Sequence, residues 1–224
     1  MAYILNIETA TTNCSVSVGK KNKTISLVEL NEKGYSHAEN LHVFIKQAVS
    51  EAGILLNDLN AIAVSKGPGS YTGLRIGVSA AKGLAFSLDI PLISVATLTS
   101  LAYQNATKAD FVIPMLDARR MEVYALIHNQ DHEPMAETDA VIIDENSFHE
   151  YLEKGTVSFL GNGAVKCVSV IQHTNAIFNT DILVPSAKEM TALSFAKYEN
   201  NDFEDVAYFE PYYLKDFIAG KKKA

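Results

Sequence analysis

The sequence predicts an α/β protein built from two βββαβαβα halves. The order of β-prone and helical segments is completed once by about residue 106 and then begins again. Both halves also open in the same way, with an apolar strand, an acidic residue and a polar turn, at Ile7-Glu8 and at Leu116-Asp117. A hydrophobic content of 48% over 224 residues is enough for a substantial core. Because strands that alternate with helices usually pair in parallel, we expect a sheet in each half and a cleft between them.

We place the two units at residues 1–106 and 107–201. A C-terminal segment, 202–224, follows them. Its aromatic residues, including Tyr212 and Tyr213, predict that it packs back on the body before a frayed tail.

The first half begins with three β-prone runs that predict an antiparallel meander, at 3–7, 14–18 and 24–30. Ser36 and Glu39 have the spacing of a capping box, and the helix that they open ends at Gly53. The remaining segments predict a strand at 61–65, a glycine-rich helix from Thr72, a strand at 91–95 and a helix at 97–105.

The second half repeats this order with shorter elements. Apolar runs predict strands at 111–116, 122–127, somewhere within 135–143, 157–160 and 182–184. Helical periodicity predicts helices at 145–153 and 164–172, and a last helix that Ser186 caps.

The glycine-rich helix carries two neighbouring ridges at i, i+4 spacing. We call Gly73, Gly77, Ala81 and Ala85 the glycine ridge, and Ile76, Ala80, Leu84 and Leu88 the apolar ridge. Each interior glycine costs a helix about 1 kcal/mol relative to alanine, so tertiary contacts must offset that cost. The bare glycine ridge predicts close approach of another backbone. That backbone could belong to another chain or to the same domain.

Charge and cysteine content limit the function classes. A net charge of −7 disfavours a free-standing nucleic-acid binder. Cys14 and Cys167 are far apart in sequence, which favours a reducing, cytoplasmic compartment. The first residues lack the pattern of a signal peptide, and no apolar run has the length of a membrane span.

Candidate chemistry lies at the ends of the predicted strands. Glu8, with the hydroxyls of Thr9 and Thr11, could hold Mg²⁺ and the phosphates of a nucleotide, and Asp117 could face them. Equally, both carboxylates could only satisfy the amides of their turns. Gly161 and Gly163 could let an adenine ring lie against the backbone, or they could form a tight turn.

Other catalytic patterns are missing from the sequence. The run that begins at Gly67 is not a P-loop, because no Gly-Lys-Ser/Thr follows it. His37 and His42 are five residues apart and would point in different directions from a helix, so we expect no metal site. The two cysteines have no partner for nucleophilic work, and we predict no catalytic residue.

Four stretches, 4–16, 67–85, 116–124 and 211–214, closely resemble the TsaB family, the accessory subunits of bacterial tRNA threonylcarbamoyladenosine synthesis. The resemblance spans nearly the whole chain, and the glycine-rich helix is its most specific part. It implies a duplicated actin/sugar-kinase/Hsp70-like (ASKHA) fold and a non-catalytic role in tRNA N6-threonylcarbamoyladenosine modification. In that family the catalytic relative carries a histidine pair, and the matching residues here, 95–100, contain no histidine. Glu8 also departs from the Asp common in accessory subunits.

The resemblance further implies partners. They are a TsaD-like catalytic subunit and a TsaE-like ATPase, with tRNA reached only through the complex, and with ATP or ADP and Mg²⁺ bound only within it. In the family the related subunits pair through their N-terminal helices, which correspond here to 36–52 and 72–88. The interface residues that this implies are Leu41, Phe44, Ile45, Ala48, Gly73, Gly77, Ala81 and Ala85. Without its partner, the chain is expected to form a homodimer.

Two other function classes stay open. The first is a free-standing ATPase or small-molecule kinase that uses Glu8 and Asp117. The second, a peptidase, is disfavoured because no nucleophile or metal set is visible. If the glycine ridge is the interface, a bulky residue at Gly77 should abolish pairing and leave the first unit folded.

Overall fold

The computed structural model describes residues 2–32 and 37–215, and these residues form two sheets. In the first sheet the strands lie in the order β3-β2-β1-β4-β5. β1 pairs antiparallel with β2 and parallel with β4. The strands are β1 (Tyr3–Glu8), β2 (Asn13–Lys20), β3 (Lys23–Asn31), β4 (Ala61–Gly67) and β5 (Leu92–Ala96).

The second sheet repeats this strand order. Its main path is β9-β7-β6-β10-β11, in which β6 pairs antiparallel with β7 and parallel with β10. The strands are β6 (Phe111–Asp117), β7 (Glu122–Ala125), β8 (His128–Asn129, paired with β6), β9 (Asp139–Ile142), β10 (Val157–Leu160) and β11 (Ala176–Asn179). The same order and the same strand directions in both sheets confirm the predicted duplication and its ASKHA-type α/β fold.

Six α-helices lie in the described residues. They are α1 (His37–Glu51), α2 (Tyr71–Leu88), α3 (Thr97–Ala102), α4 (His149–Leu152), α5 (Ala164–Cys167) and α6 (Ala187–Glu199). A short 3-10 turn at Leu56–Asp58 precedes β4. Among these residues, no helix has both the length and the apolar composition needed to cross a membrane.

Some predicted elements differ from the observed ones. The short run 182–184 is not a strand, and the strand beside β10 is β11. The run 182–184 instead gives backbone acceptors to the turn after β10, with the amide of Gly161 donating to the carbonyl of Ile182 at 2.7 Å. The helices predicted at 145–153 and 164–172 each shrink to one turn, α4 and α5.

The two predicted helix caps have different outcomes. Ser186 caps α6 as predicted, and its side-chain oxygen accepts the amide of Lys188 at 3.2 Å. Ser36 lies outside the described residues.

Helix α6 belongs to the first sheet, although the boundaries of 107–201 assigned it to the second unit. It packs on β1, β2 and β5. Its Ala187, Met190 and Phe195 share a buried cluster with Ile4 and Ile93 of that sheet. The domain boundary at 201 is therefore corrected, because the apolar face of α6 is buried against the first half.

Helix α3 and the C-terminal segment connect separate parts of the fold. Helix α3 packs on β6, where Leu98 and Leu101 share a buried cluster with Val112 and Leu116. The described part of the C-terminal segment, 202–215, runs back along α2. There the ammonium of Lys82 donates to the carbonyl of Phe209 at 2.9 Å, and the ring of Phe209 packs on the first core.

Candidate functional site

A cleft of about 470 Å³ lies between the two halves. Its wall in the first half is the β1–β2 turn, with Thr11 and Thr12, and the beginning of α2. Its wall in the second half is the β6–β7 turn, with Asp117 and Arg119. Residues 212–215 of the C-terminal segment complete the lining. The cleft therefore lies at the carboxyl ends of β1 and β6, where ligands bind in folds of this type.

Glu8 and Thr9 lie beneath this cleft and do not line it. Glu8 is wholly buried. Its Oε1 accepts the amide of Ala10 at 2.6 Å and the hydroxyl of Ser65 at 2.9 Å. Thr9 is also buried, and its hydroxyl donates to the carbonyl of Gly73 at 2.8 Å. The nucleotide prediction for both residues is corrected, since their polar groups are turned into the fold.

Burial makes the carboxyl group of Glu8 a weaker acid than usual. Loss of solvent raises its pKa to about 7, against the smaller opposing effect of the bonds from Ala10 and Ser65. Its Oε2 has no hydrogen-bond partner among the described residues. Burial therefore favours the neutral form of this carboxyl group up to a higher pH than for an exposed glutamate.

Thr11 and Asp117 do line the cleft. The Asp117 carboxylate, however, is already engaged, because it forms an ion pair with Lys166 at 2.5 Å and accepts the amide of Arg119 at 2.9 Å. Lys166 also donates to the carbonyls of Arg120 and Glu122. This network supports the turn between β6 and β7, which is the structural alternative left open for Asp117.

Gly161 and Gly163 form the tight turn after β10. Gly161 has a φ of +96°, and a Cβ there would overlap the carbonyl of Met115. A Cβ on Gly163 would lie 2.9 Å from the carbonyl carbon of Leu116. Both glycines are buried against the backbone of β6, so their adenine-binding prediction is corrected. Asn162 between them lines the cleft, and its Oδ1 accepts the amide of Asp117 at 2.8 Å.

Only part of the predicted nucleotide site lies at the cleft. Of the six residues predicted to bind nucleotide, only Thr11 and Asp117 face the cleft. Across residues 2–32 and 37–215, no group of three or more His, Cys, Asp or Glu side chains has the arrangement of a metal site.

The helical surface also differs from the prediction. Seven of the eight predicted interface residues are buried inside the first half, namely Leu41, Ile45, Ala48, Gly73, Gly77, Ala81 and Ala85. A Cβ on Gly73 would overlap the carbonyl of Thr9, and one on Gly77 would overlap the hydroxyl of Thr9. The close approach predicted for the glycine ridge is therefore to the turn that follows β1. A bulky residue at Gly77 would disrupt the fold itself, which corrects the expected loss of pairing alone.

The apolar ridge lies beside the glycine ridge and is only half buried. All four of its residues pack against the first core at one edge and keep an exposed edge. Phe44, on the neighbouring α1, is also half buried, and Val43 beside it is 59% exposed. The i, i+4 spacing had identified this ridge but not which ridge faces outward. Side-chain size decides which ridge faces outward, because only the small residues of the glycine ridge fit against the β1–β2 turn.

Comparisons with known proteins agree on the family. The family model described as TsaD, tRNA N6-adenosine threonylcarbamoyltransferase, matches residues 32–222. The tRNA threonylcarbamoyladenosine biosynthesis protein TsaB of Escherichia coli (strain K12) is 30% identical over 227 residues, which cover 98% of this chain and 97% of that protein. The tRNA N6-adenosine threonylcarbamoyltransferase of Bacillus subtilis (strain 168) is 33% identical, over 51% of this chain and 37% of that protein.

A solved structure agrees over nearly the whole fold. It is an uncharacterized protein from Pseudomonas aeruginosa, described as similar to peptidase YEAZ. It has a TM-score of 0.85 and 25% identity, and the match covers 96% of this chain and 100% of that one. From its full-length relatives and its duplicated fold, the chain belongs to the TsaB family.

Proposed function

We propose that this chain is a non-catalytic subunit required for tRNA N6-threonylcarbamoyladenosine modification, which pairs with a TsaD-like threonylcarbamoyltransferase and supports it. The full-length match to a TsaB protein supports a role in threonylcarbamoyladenosine biosynthesis. The shared family model, and the match of half the chain to a transferase, support a related partner. The site supports the accessory role, because Asp117 at the cleft is paired with Lys166 and Glu8 is buried beneath the cleft.

The observation that carries the pairing is the half-exposed apolar ridge on α2, with Phe44 beside it on α1. Two adjacent helices that keep apolar edges exposed provide a surface on which the helices of a related fold can pack. We infer that this ridge, and not the glycine ridge, contacts the partner.

Co-purification of two variants with the TsaD-like relative tests this interface. Ala80→Arg places a charge in the middle of the ridge, where burial without a counter-charge would weaken pairing at least about tenfold. Ala136→Arg makes the same substitution at an exposed site in the second half and should pair normally. Circular dichroism spectra should match for both variants, because Ala80 keeps an exposed edge.

Equal pairing of Ala80→Arg and the parent would refute this interface. The same ridge should mediate the homodimer that we propose for the isolated chain, since two copies can cover each other's apolar edges. Sedimentation of Ala80→Arg should therefore give a monomer. A dimer that persists in this variant would place self-association elsewhere.

The remaining roles follow from this assignment. We propose that a TsaE-like ATPase joins the complex and that tRNA is reached through it, since the chain carries a net charge of −7. We assign ATP or ADP with Mg²⁺ to the complex and not to the isolated chain, because few predicted ligands face its cleft. The free cysteines, Cys14 and Cys167, fit a reducing cytoplasm.

A further inference from the structure

The last described residues, 211–215, cross from the first half to the second at the cleft. We propose that they form a latch that holds the two halves together and lines the cleft with the chain's own side chains. The proposal does not depend on the proposed function, since it concerns only how this chain closes on itself.

The latch is attached to the first half by backbone and by rings. The amide of Tyr212 donates to the carbonyl of Lys66, at the end of β4, at 2.7 Å. This approach requires the next residue to be glycine, because Gly67 has a φ of +109° and a Cβ there would lie 2.7 Å from the carbonyl oxygen of Tyr212. The ring of Tyr213 lies 5.0 Å from that of Tyr71, at the beginning of α2.

Three residues later, the latch is attached to the second half. The ammonium of Lys215 forms an ion pair with the carboxylate of Glu122 on β7. Leu214 and Lys215 line the cleft, as do Tyr212 and Tyr213. A ligand that bound in this cleft would therefore contact the latch residues.

The other contacts between the halves favour a hinge. The halves are joined by the α3 cluster around Leu98 and Leu101, and by the chain crossings at 103–110 and 180–186. Residues of α3 do not line the cleft. Two bodies joined through one packed helix and short crossings can close or open by rotation there. A second attachment at the cleft would oppose that rotation.

The contacts that attach the latch to the two halves are weak enough to break and form again. The side chain of Lys215 is 42% exposed, and exposed ion pairs contribute little and weaken with salt. A single backbone hydrogen bond and one ring contact add modest stability. The latch is therefore held by contacts that a competing ligand or partner could replace.

A distance measurement between the halves tests the latch in the full chain. Cysteines at Gly83 on α2 and at Val165 on α5 provide exposed sites for spin labels, and a Cβ at Gly83 meets nothing within 4 Å. The native thiols should not react, because both are buried and burial raises the pKa of Cys14 and of Cys167 to about 11. Pulsed electron resonance then reports the separation of the halves.

We expect one narrow distance distribution in the labelled parent and in the control Lys154→Ala, which removes an exposed ion pair with Glu150. Lys215→Ala and Glu122→Gln should each broaden the distribution towards longer distances, and 1 M salt should act in the same direction on the parent. Hydrogen exchange at the Tyr212 amide should become about threefold faster in Lys215→Ala, and about tenfold faster when Tyr213→Ala is added. An unchanged distribution, or an unchanged exchange rate in the double variant, would overturn the proposal.

Discussion

Glu8 ends β1 as a wholly buried carboxyl group, with one oxygen bonded and the other without a partner among the described residues. Burial raises its pKa from 4.5 to about 7. The folded state therefore holds this proton more tightly than the unfolded state does. Its contribution to stability is fully present below pH 4.5 and is lost as the pH rises to 7, a fall of about 3 kcal/mol in the free energy of unfolding.

Glu8→Gln should remove this pH dependence, because glutamine keeps the acceptor for Ala10 and Ser65 but cannot ionise. Urea unfolding at pH 5 and pH 8 measures it. Between these pH values, the free energy of unfolding should fall by about 2–3 kcal/mol more in the parent than in the variant. The exposed control Glu150→Gln should follow the parent. If Glu8→Gln and the parent changed equally with pH, the burial of an ionisable group at Glu8 would be refuted.

Residue chemistry could be read only partly from the sequence. A carboxylate at the end of a strand was predicted at Glu8 and at Asp117, and both are there. Whether such a carboxylate faces a cleft depends on its neighbours in space. For Glu8 these include Ser65, which is 57 positions away, and for Asp117 they include Lys166, which is 49 positions away.

At the scale of an element, the structure of helix α2 could also be predicted only in part. Its spacing predicted two ridges and close backbone approach, and both are present. The approach is to the turn after β1, where the amide of Ser70 donates to the carbonyl of Ala10 at 2.7 Å. That contact depends on parallel pairing of β1 with β4, which no local pattern encodes.

Two glycine substitutions in α2 should have opposite effects. Gly73→Ala should destabilise the chain by about 1–3 kcal/mol, because its Cβ would overlap the carbonyl of Thr9. Gly83→Ala should stabilise it by about 1 kcal/mol, because the site is exposed and alanine favours helix. Thermal unfolding of both variants measures the pair. Similar effects at the two positions would contradict the packing of the glycine ridge on the β1–β2 turn.

Strand prediction had mixed outcomes in the second half. The run at 157–160 matches β10 at both ends. The prediction of 182–184 was wrong because a three-residue apolar run carries no period. The true strand, β11, is identified by its parallel register with β10, in which Val157 lies beside Ala176.

At the scale of the whole molecule, the duplication was predictable because element order survives where sequence identity does not. The paths of α6 and of the C-terminal segment were harder to predict. Both return to the first half after the second is complete, and Glu204 even pairs with Leu92 at the edge of β5. Such returns bury apolar faces on a distant sheet, which a local pattern does not reveal.

The central claim is that this chain is required for tRNA modification but does not catalyse it. The most direct test is a reconstituted modification assay in which each protein is omitted in turn. It contains tRNA, the AMP ester of the threonylcarbamoyl group as donor, ATP with Mg²⁺, and the TsaD-like and TsaE-like proteins from the same genome. We predict that threonylcarbamoyladenosine forms only when this chain is present and that the chain alone is inert. Full modification without this chain, or modification by this chain alone, would contradict the account.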